Sequence, residues 1–195
     1  MMKPTTSNCV SIQLPLGGHS FSSARLGDIV VDNGQEVRII VDTAKCALIP
    51  QQHFSVADVV EIARASGITV SSDEIVVCSP DAPIIAVMAI NASCHATLIE
   101  RYGNRISFTT PLLNSPMPDH GSVIHLSAST LYVRVANEGL KFAEAIGVDG
   151  DADILYMLEN INKVYNIYNM YARAEGDTKR LLALCKRSFS NLVCE

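Results

Sequence analysis

Gly17-Gly18-His19-Ser20 holds the most chemistry of any stretch in this 195-residue chain. Two glycines leave backbone amides bare enough to approach a phosphate, and the serine adds a hydroxyl. A hydrated Mg²⁺ beside such a loop also needs a carboxylate. Leu14, Pro15 and Leu16 precede the loop, so an acid has to come from elsewhere, Asp42 or Asp149. His19 with Ser20 and Ser22 offers a second option, a nucleophile patch. Nothing in the sequence fixes its acid partner or an oxyanion hole. A second glycine turn, Asn137-Glu138-Gly139, also lacks an aspartate, which makes Gly139 the weaker of the two phosphate candidates.

Other reactive side chains are scattered. His19, His53, His95, His120 and His125 show no H-x-x-x-H spacing. Cys94 and His95 are adjacent on a predicted helix and point different ways, a poor thiolate–imidazole pair. His125 in a strand reads as a surface or core-edge residue. The six cysteines form no C-x-x-C pair and read as reduced, mostly buried thiols. No metal site is expected.

The elements that must position these residues follow from period and punctuation. Residues 122–147 spell three strands in a row. Leu131, Val133 and Val135 alternate with Tyr132, Arg134 and Ala136, which predicts one apolar face and one mixed face. Asn137 and Gly139 tolerate the positive φ of a hairpin, and residues 140–146 resume the extended pattern. A helix follows, capped by Asp151 or Asp153, with Ile154, Leu155, Leu158, Ile161 and Val164 inward. The start of the chain is a partial copy. Residues 10–14 (VSIQL) lie under residues 131–135 (LYVRV), Gly18 under Gly139, Phe21 under Phe142 and Ala24 under Ala145.

In chain order, residues 9–16 form a strand with Pro15 at an edge or bulge, 21–25 return, and 37–41 form a buried strand. Ser55 with Asp58 caps a short helix ended by Gly67. Strands follow at 75–78 and 84–90. Asn91 caps a helix reaching Tyr102, with Leu98 and Ile99 inward and Gly103 as its stop. Residues 106–109 form a strand. The stretch 111–121, with three prolines, separates two lobes, 1–118 and 119–195. Residues 167–172 read as a strand. Residues 178–189 read as a helix burying Leu181, Leu182, Ala183, Cys185 and Phe189, and 192–194 as a last strand.

Bulk composition narrows the function classes. A hydrophobic content of 48% supplies a core, and a charged content of 18% argues against disorder. Net charge is −5 with dispersed cations, which argues against nucleic-acid binding. Residues 1–8 are polar and no segment reaches the about 20 apolar residues of a membrane span, so no membrane insertion and a cytoplasmic location are expected.

The opening SIQLPLGGHSFS of residues 11–22 resembles the S-I-x-L-S-L-x-G-x-S-F start of an uncharacterised, mainly Bacteroidetes family, domain of unknown function 3822. Residues 123–128, 131–137, 140–146 and the following helix resemble its second half, as does the step at 168–184. The resemblance implies an α/β protein of two related ribonuclease-H-like (actin-like ATPase) lobes, each a strand meander plus helices on a mixed sheet, akin to pilus-assembly actin-like proteins. It implies no established activity. In such ATPases an aspartate at the first hairpin holds Mg²⁺ and a Gly-Gly pair receives adenosine. Here the aspartate is missing and only Gly176 stands in 171–177. A two-metal nuclease would need carboxylates on strands 9–16 and 123–136, which carry none. The expectation is therefore a catalytically degenerate binding or scaffolding module, with an unknown protein partner or self-association and no cofactor. The alternative is a nucleotide-binding or phosphotransfer protein using ATP and Mg²⁺ at Gly17, Gly18, His19 and Ser20.

Overall fold

The computed structural model describes residues 9–15, 31 and 34–194. Gly17, Gly18, His19, Ser20 and the return strand expected at 21–25 lie outside the described residues. The chain forms two compact units, Met1–Asp42 with Ile49–Thr110, and Thr43–Leu48 with Pro111–Glu195.

The first unit takes, in chain order, β1 (Cys9–Pro15), β2 (Glu36–Asp42), the end of β3 (Cys46–Pro50), α1 (Val59–Ala65), β4 (Glu74–Cys78), β5 (Ile84–Asn91), α2 (Ala92–Tyr102) and β6 (Ile106–Thr109). Among the described residues β1, β2 and β6 are parallel neighbours in that order. β4 and β5 form an antiparallel pair in a second sheet. β5 is fully buried from Ile85 to Ile90, as its unbroken apolar run requires. Asn91 caps α2 by accepting from the amides of Ser93 (3.0 Å) and Cys94 (3.2 Å). Gly103, at φ 57°, ends that helix. α2 buries Cys94, Leu98 and Tyr102, while Ile99 is 39% exposed: the inward stripe runs one position off the expected one. Ser55 makes no side-chain cap. Residues Val56–Asp58 form a single 3₁₀ turn instead, which leaves the α-helix to begin at Val59.

The second unit takes α3 (Pro111–Asn114), β7 (His120–Leu126), β8 (Thr130–Asn137), β9 (Leu140–Gly147), α4 (Asp151–Tyr165), β10 (Tyr171–Gly176), α5 (Thr178–Cys185) and β11 (Asn191–Cys194). Its strands lie in the order β11-β10-β7-β8-β9, with β7, β8 and β9 an antiparallel meander and β10 and β11 parallel to β7. This is a mixed sheet. Ile124, Leu126, Leu131, Val133, Val135, Ala172 and Ala174 face a helical layer of α4 and α5, packing on Ile154, Leu158, Ile161, Leu181, Cys185 and Phe189. Arg180 joins the two helices through Asp151 (Nη2 2.6 Å, Nε 2.7 Å).

Several local expectations change. β8 is buried on both faces, because Tyr132 packs with Leu112 and Ala145 against Cys46 and Leu48 on the side away from the helices. The hairpin after it takes positive φ at Glu138 (54°) and Gly139 (108°), so Glu138 occupies the left-handed position expected of Asn137. Gly150 is the N-cap of α4. Asp153 instead accepts from the Asp149 amide (3.0 Å), reaching back over the first turn. Leu155 and Val164 are 38% and 73% exposed, since the helix rests on Ile154, Leu158 and Ile161, with Met157 and Tyr165 partly buried beside them. Residues Ile167–Asn169 form a 3₁₀ turn, and the strand begins at Tyr171. α5 stops at Cys185, with Leu182 and Ala183 exposed.

The two stretches aligned in the sequence, residues 10–14 and 131–135, have different neighbours. β8 has only antiparallel neighbours, whereas β1 pairs in parallel with a later strand, β2. Three successive parallel strands occur in each unit, β1-β2-β6 in the first and β7-β10-β11 in the second.

Candidate functional site

On a strand, alternate residues share a face, and register decides which side chains of neighbouring strands meet. On the face of the second unit's sheet away from the helices, Tyr132, His125 and Glu175 stand in one row, because His125 pairs with both Tyr132 and Glu175. Arg134, Val123 and Arg173 stand in the next row by the same two pairings. Two arginines, a histidine and a glutamate are thereby brought together on the second unit's sheet. Arg134 is 5% exposed, Arg173 8% and His125 9%.

The chain beyond α3 folds over these groups. Gly121 allows this approach: at φ 143°, an added Cβ would lie 2.6 Å from the Tyr171 carbonyl oxygen and 3.3 Å from Pro118. Arg134 donates from Nη1 to the Ser115 carbonyl (2.8 Å) and from Nη2 to Ser115 Oγ (2.6 Å). Arg173 donates from Nη2 to Ser115 Oγ (3.1 Å) and to the Pro116 carbonyl. Its Nε meets Glu175 Oε1 at 3.1 Å. His125 Nδ1 lies 3.7 Å from Glu175 Oε2, and its ring meets Tyr132 edge-on at 5.7 Å.

The electrostatics are those of a closed, low-dielectric cluster. Burial opposes ionisation of Glu175. Hydrogen bonds from His125 and Ser115 and the charges of Arg134 and Arg173 outweigh it, so the carboxyl is held down at about 2. Burial lowers the Arg134 pKa. Glu175 opposes that shift and Arg173 adds to it. The arrangement can hold a carboxylate ionised deep into acid and can grip oxygen ligands with two guanidinium forks.

Gly17, Gly18, His19 and Ser20 lie outside the described residues, so of the sequence-predicted residues Gly139, Asp149 and Asp42 are the ones with a described position. Gly139 sits in the β8–β9 turn, where an added Cβ would meet nothing within 4 Å. The only charged residue in that turn is Glu138. Asp149 is exposed at the start of α4, and Asp42 is buried at the end of β2. His125 is drawn into the network rather than left at the core edge. Cys94 is buried, and His95 stacks on Phe108 at 5.6 Å. Among the described residues no three His, Cys, Asp or Glu side chains converge as metal ligands do, and no helix is long and apolar enough to cross a membrane. Sequence reasoning missed Arg134, Arg173, Glu175 and Ser115. Their signal was present: an arginine at the centre of an otherwise apolar strand, in LYVRVA and again in YARAEG, cannot be buried without a partner.

No protein-family model matches the chain, and no curated protein matches it in sequence. Solved structures do. A Bacteroides thetaiotaomicron protein with an actin-like ATPase fold and unknown function superposes with a TM-score of 0.73 at 14% identity, covering 100% of this chain and 94% of that one. The cytoplasmic domain of EpsL, an inner-membrane component of the type II secretion system of Vibrio cholerae, aligns with a TM-score of 0.42 at 12% identity, over 84% of this chain and 66% of that one. At that score the second likeness bears no weight. The first shows the fold alone: this chain is an α/β protein with mixed sheets and an actin-like ATPase fold.

Proposed function

We propose that the protein is a binding or scaffolding module on an actin-like fold, with the catalytic carboxylates of that fold lost. The observation that supports this best is β9. It is an outer strand of the second unit's sheet among the described residues, and its apolar side chains Leu140, Phe142 and Ile146 are only partly covered. Such an edge offers main-chain hydrogen bonds to an extended segment or to another copy. The absence of Asp and Glu from β1, β7 and β8 supports the loss of metal chemistry. In this reading the two units are duplicated lobes, with β1-β2-β6 answering to β7-β10-β11 and the change of lobe falling near 111–119.

Two proline variants test the edge. Successive amides of a strand point to opposite sides, so Ala143→Pro and Glu144→Pro divide the labour: one unpins β8, the other removes an outward donor. The variant that keeps its melting temperature is expected to lose self-association by sedimentation, or its partner in cross-linking. Retention of every contact by that variant sinks the edge. A thermal titration with ATP and Mg²⁺ tests the rival reading. No shift is expected up to millimolar nucleotide, whereas a saturable rise of about 2.7 kcal/mol at 100 times Kd would return attention to Gly17, Gly18, His19 and Ser20.

A further inference from the structure

Arg134 is a buried cation whose direct partners are both neutral. Its two terminal nitrogens donate side by side to the carbonyl oxygen and the hydroxyl oxygen of Ser115, at 2.8 and 2.6 Å. A guanidinium fork holding two oxygens is the geometry that receives a carboxylate or a phosphate. Here one residue of a covering segment imitates that oxyanion without its charge. A second guanidinium, Arg173, converges on the same Ser115 oxygen at 3.1 Å, and like charges this close repel unless an anion lies between them. The nearby anion is Glu175, which accepts from Arg173 Nε and from Ser115 itself, so a single carboxylate serves both guanidinia. The cover is light. It is a short proline-bearing segment, with Ser115 half-buried and Pro116 exposed, seated on Gly121.

We propose that Arg134 and Arg173 form an oxyanion subsite, closed in this structure by Ser115 and Pro116, which a carboxylate or phosphate group enters by displacing that segment. Glu175 is the internal competitor: it attracts the same guanidinia and lowers the gain from an incoming charge. The site lies on the sheet face, independent of the β9 edge and of any nucleotide.

The test is an NMR titration of the full chain, reading the Nε–H signals of the two arginines at constant ionic strength. Inorganic phosphate and acetate are the probes, one for each source of the oxyanion. Both signals are expected to move saturably with at least one probe. The midpoint is expected to fall at least tenfold in Glu175→Gln and to fall in Ser115→Ala, which frees one fork position. Arg134→Lys keeps the charge without the fork and is expected to raise the midpoint at least tenfold. Signals that stay still, or that drift without saturation, would overturn the subsite. So would a midpoint indifferent to Glu175→Gln and Arg134→Lys, which would mark an adventitious ion only.

Discussion

Replacing Glu175 with glutamine keeps the shape and removes the charge, and its consequence should depend on pH in a stated way. The Glu175 carboxyl falls from an ordinary value of 4.5 to about 2 in the folded chain. Burial works against that fall, and the hydrogen bonds from His125 and Ser115 with the two arginine charges produce it. A folded value below the unfolded one means that ionised Glu175 stabilises the fold. The stabilisation is fully present above about pH 5 and is lost as pH falls through about 2. At about 1.4 kcal/mol per pH unit the drop corresponds to about 3 kcal/mol. The side chain is 18% exposed, and solvent screening reduces that to about 2 kcal/mol. The assay is urea unfolding of the wild type and Glu175→Gln at steps from pH 7 to pH 2. The gap between them should be largest at neutral pH and shrink by about 2 kcal/mol across pH 5 to 2. A gap that stays constant over that range would refute the claim that the arginines and His125 hold this charge, leaving only a packing role.

Three further outcomes follow from the geometry. Gly176 has φ 72°, and an added Cβ would strike the Leu126 carbonyl oxygen, so Gly176→Ala should cost about 3 kcal/mol or more in chemical denaturation. The Tyr132 hydroxyl accepts from the Thr43 amide (2.7 Å) and donates to the Thr43 carbonyl (3.2 Å) in a buried setting. Tyr132→Phe should therefore cost about 2 kcal/mol and speed hydrogen exchange at the Thr43 amide. Asn91→Ala strips the α2 cap and should cost about 1 kcal/mol by thermal unfolding, with the loss of helicity confined to residues 92–102.

The strands were legible wherever apolar runs met turn residues. β4, β5, β6, β8, β9 and β11 stand within a residue or two of their expected bounds, because period two and the glycine or proline breaks between them leave little choice. Helix faces were read less well. Leu155, Val164, Ile99 and Leu182 fit a helical period, but a short helix on a flat sheet needs a narrow stripe, so the flanking apolar residues stay wet. The arginine network was invisible for a different reason. Its members come from β7, β8, β10 and the segment after α3, from Ser115 to Glu175, and only strand register brings them together. The alignment of residues 10–14 on 131–135 rests on alternation alone, and similar alternating strands look alike until their neighbours and directions are known.

The six residues Thr43–Leu48 belong to the second unit although both sequence neighbours belong to the first. During synthesis this ribbon leaves the ribosome 89 residues ahead of the phenol that will pin Thr43. At 5–20 residues per second that is on the order of 5–20 s. Cys46 and Leu48 wait that long without the surface they will pack on, while the residues between are already able to fold. A first unit that completes ahead of the second therefore does so with this ribbon unattached. A gene cut at residue 111 yields an N-terminal piece with an unattached ribbon and a C-terminal piece with a bare tyrosine, and neither half is a natural unit of expression.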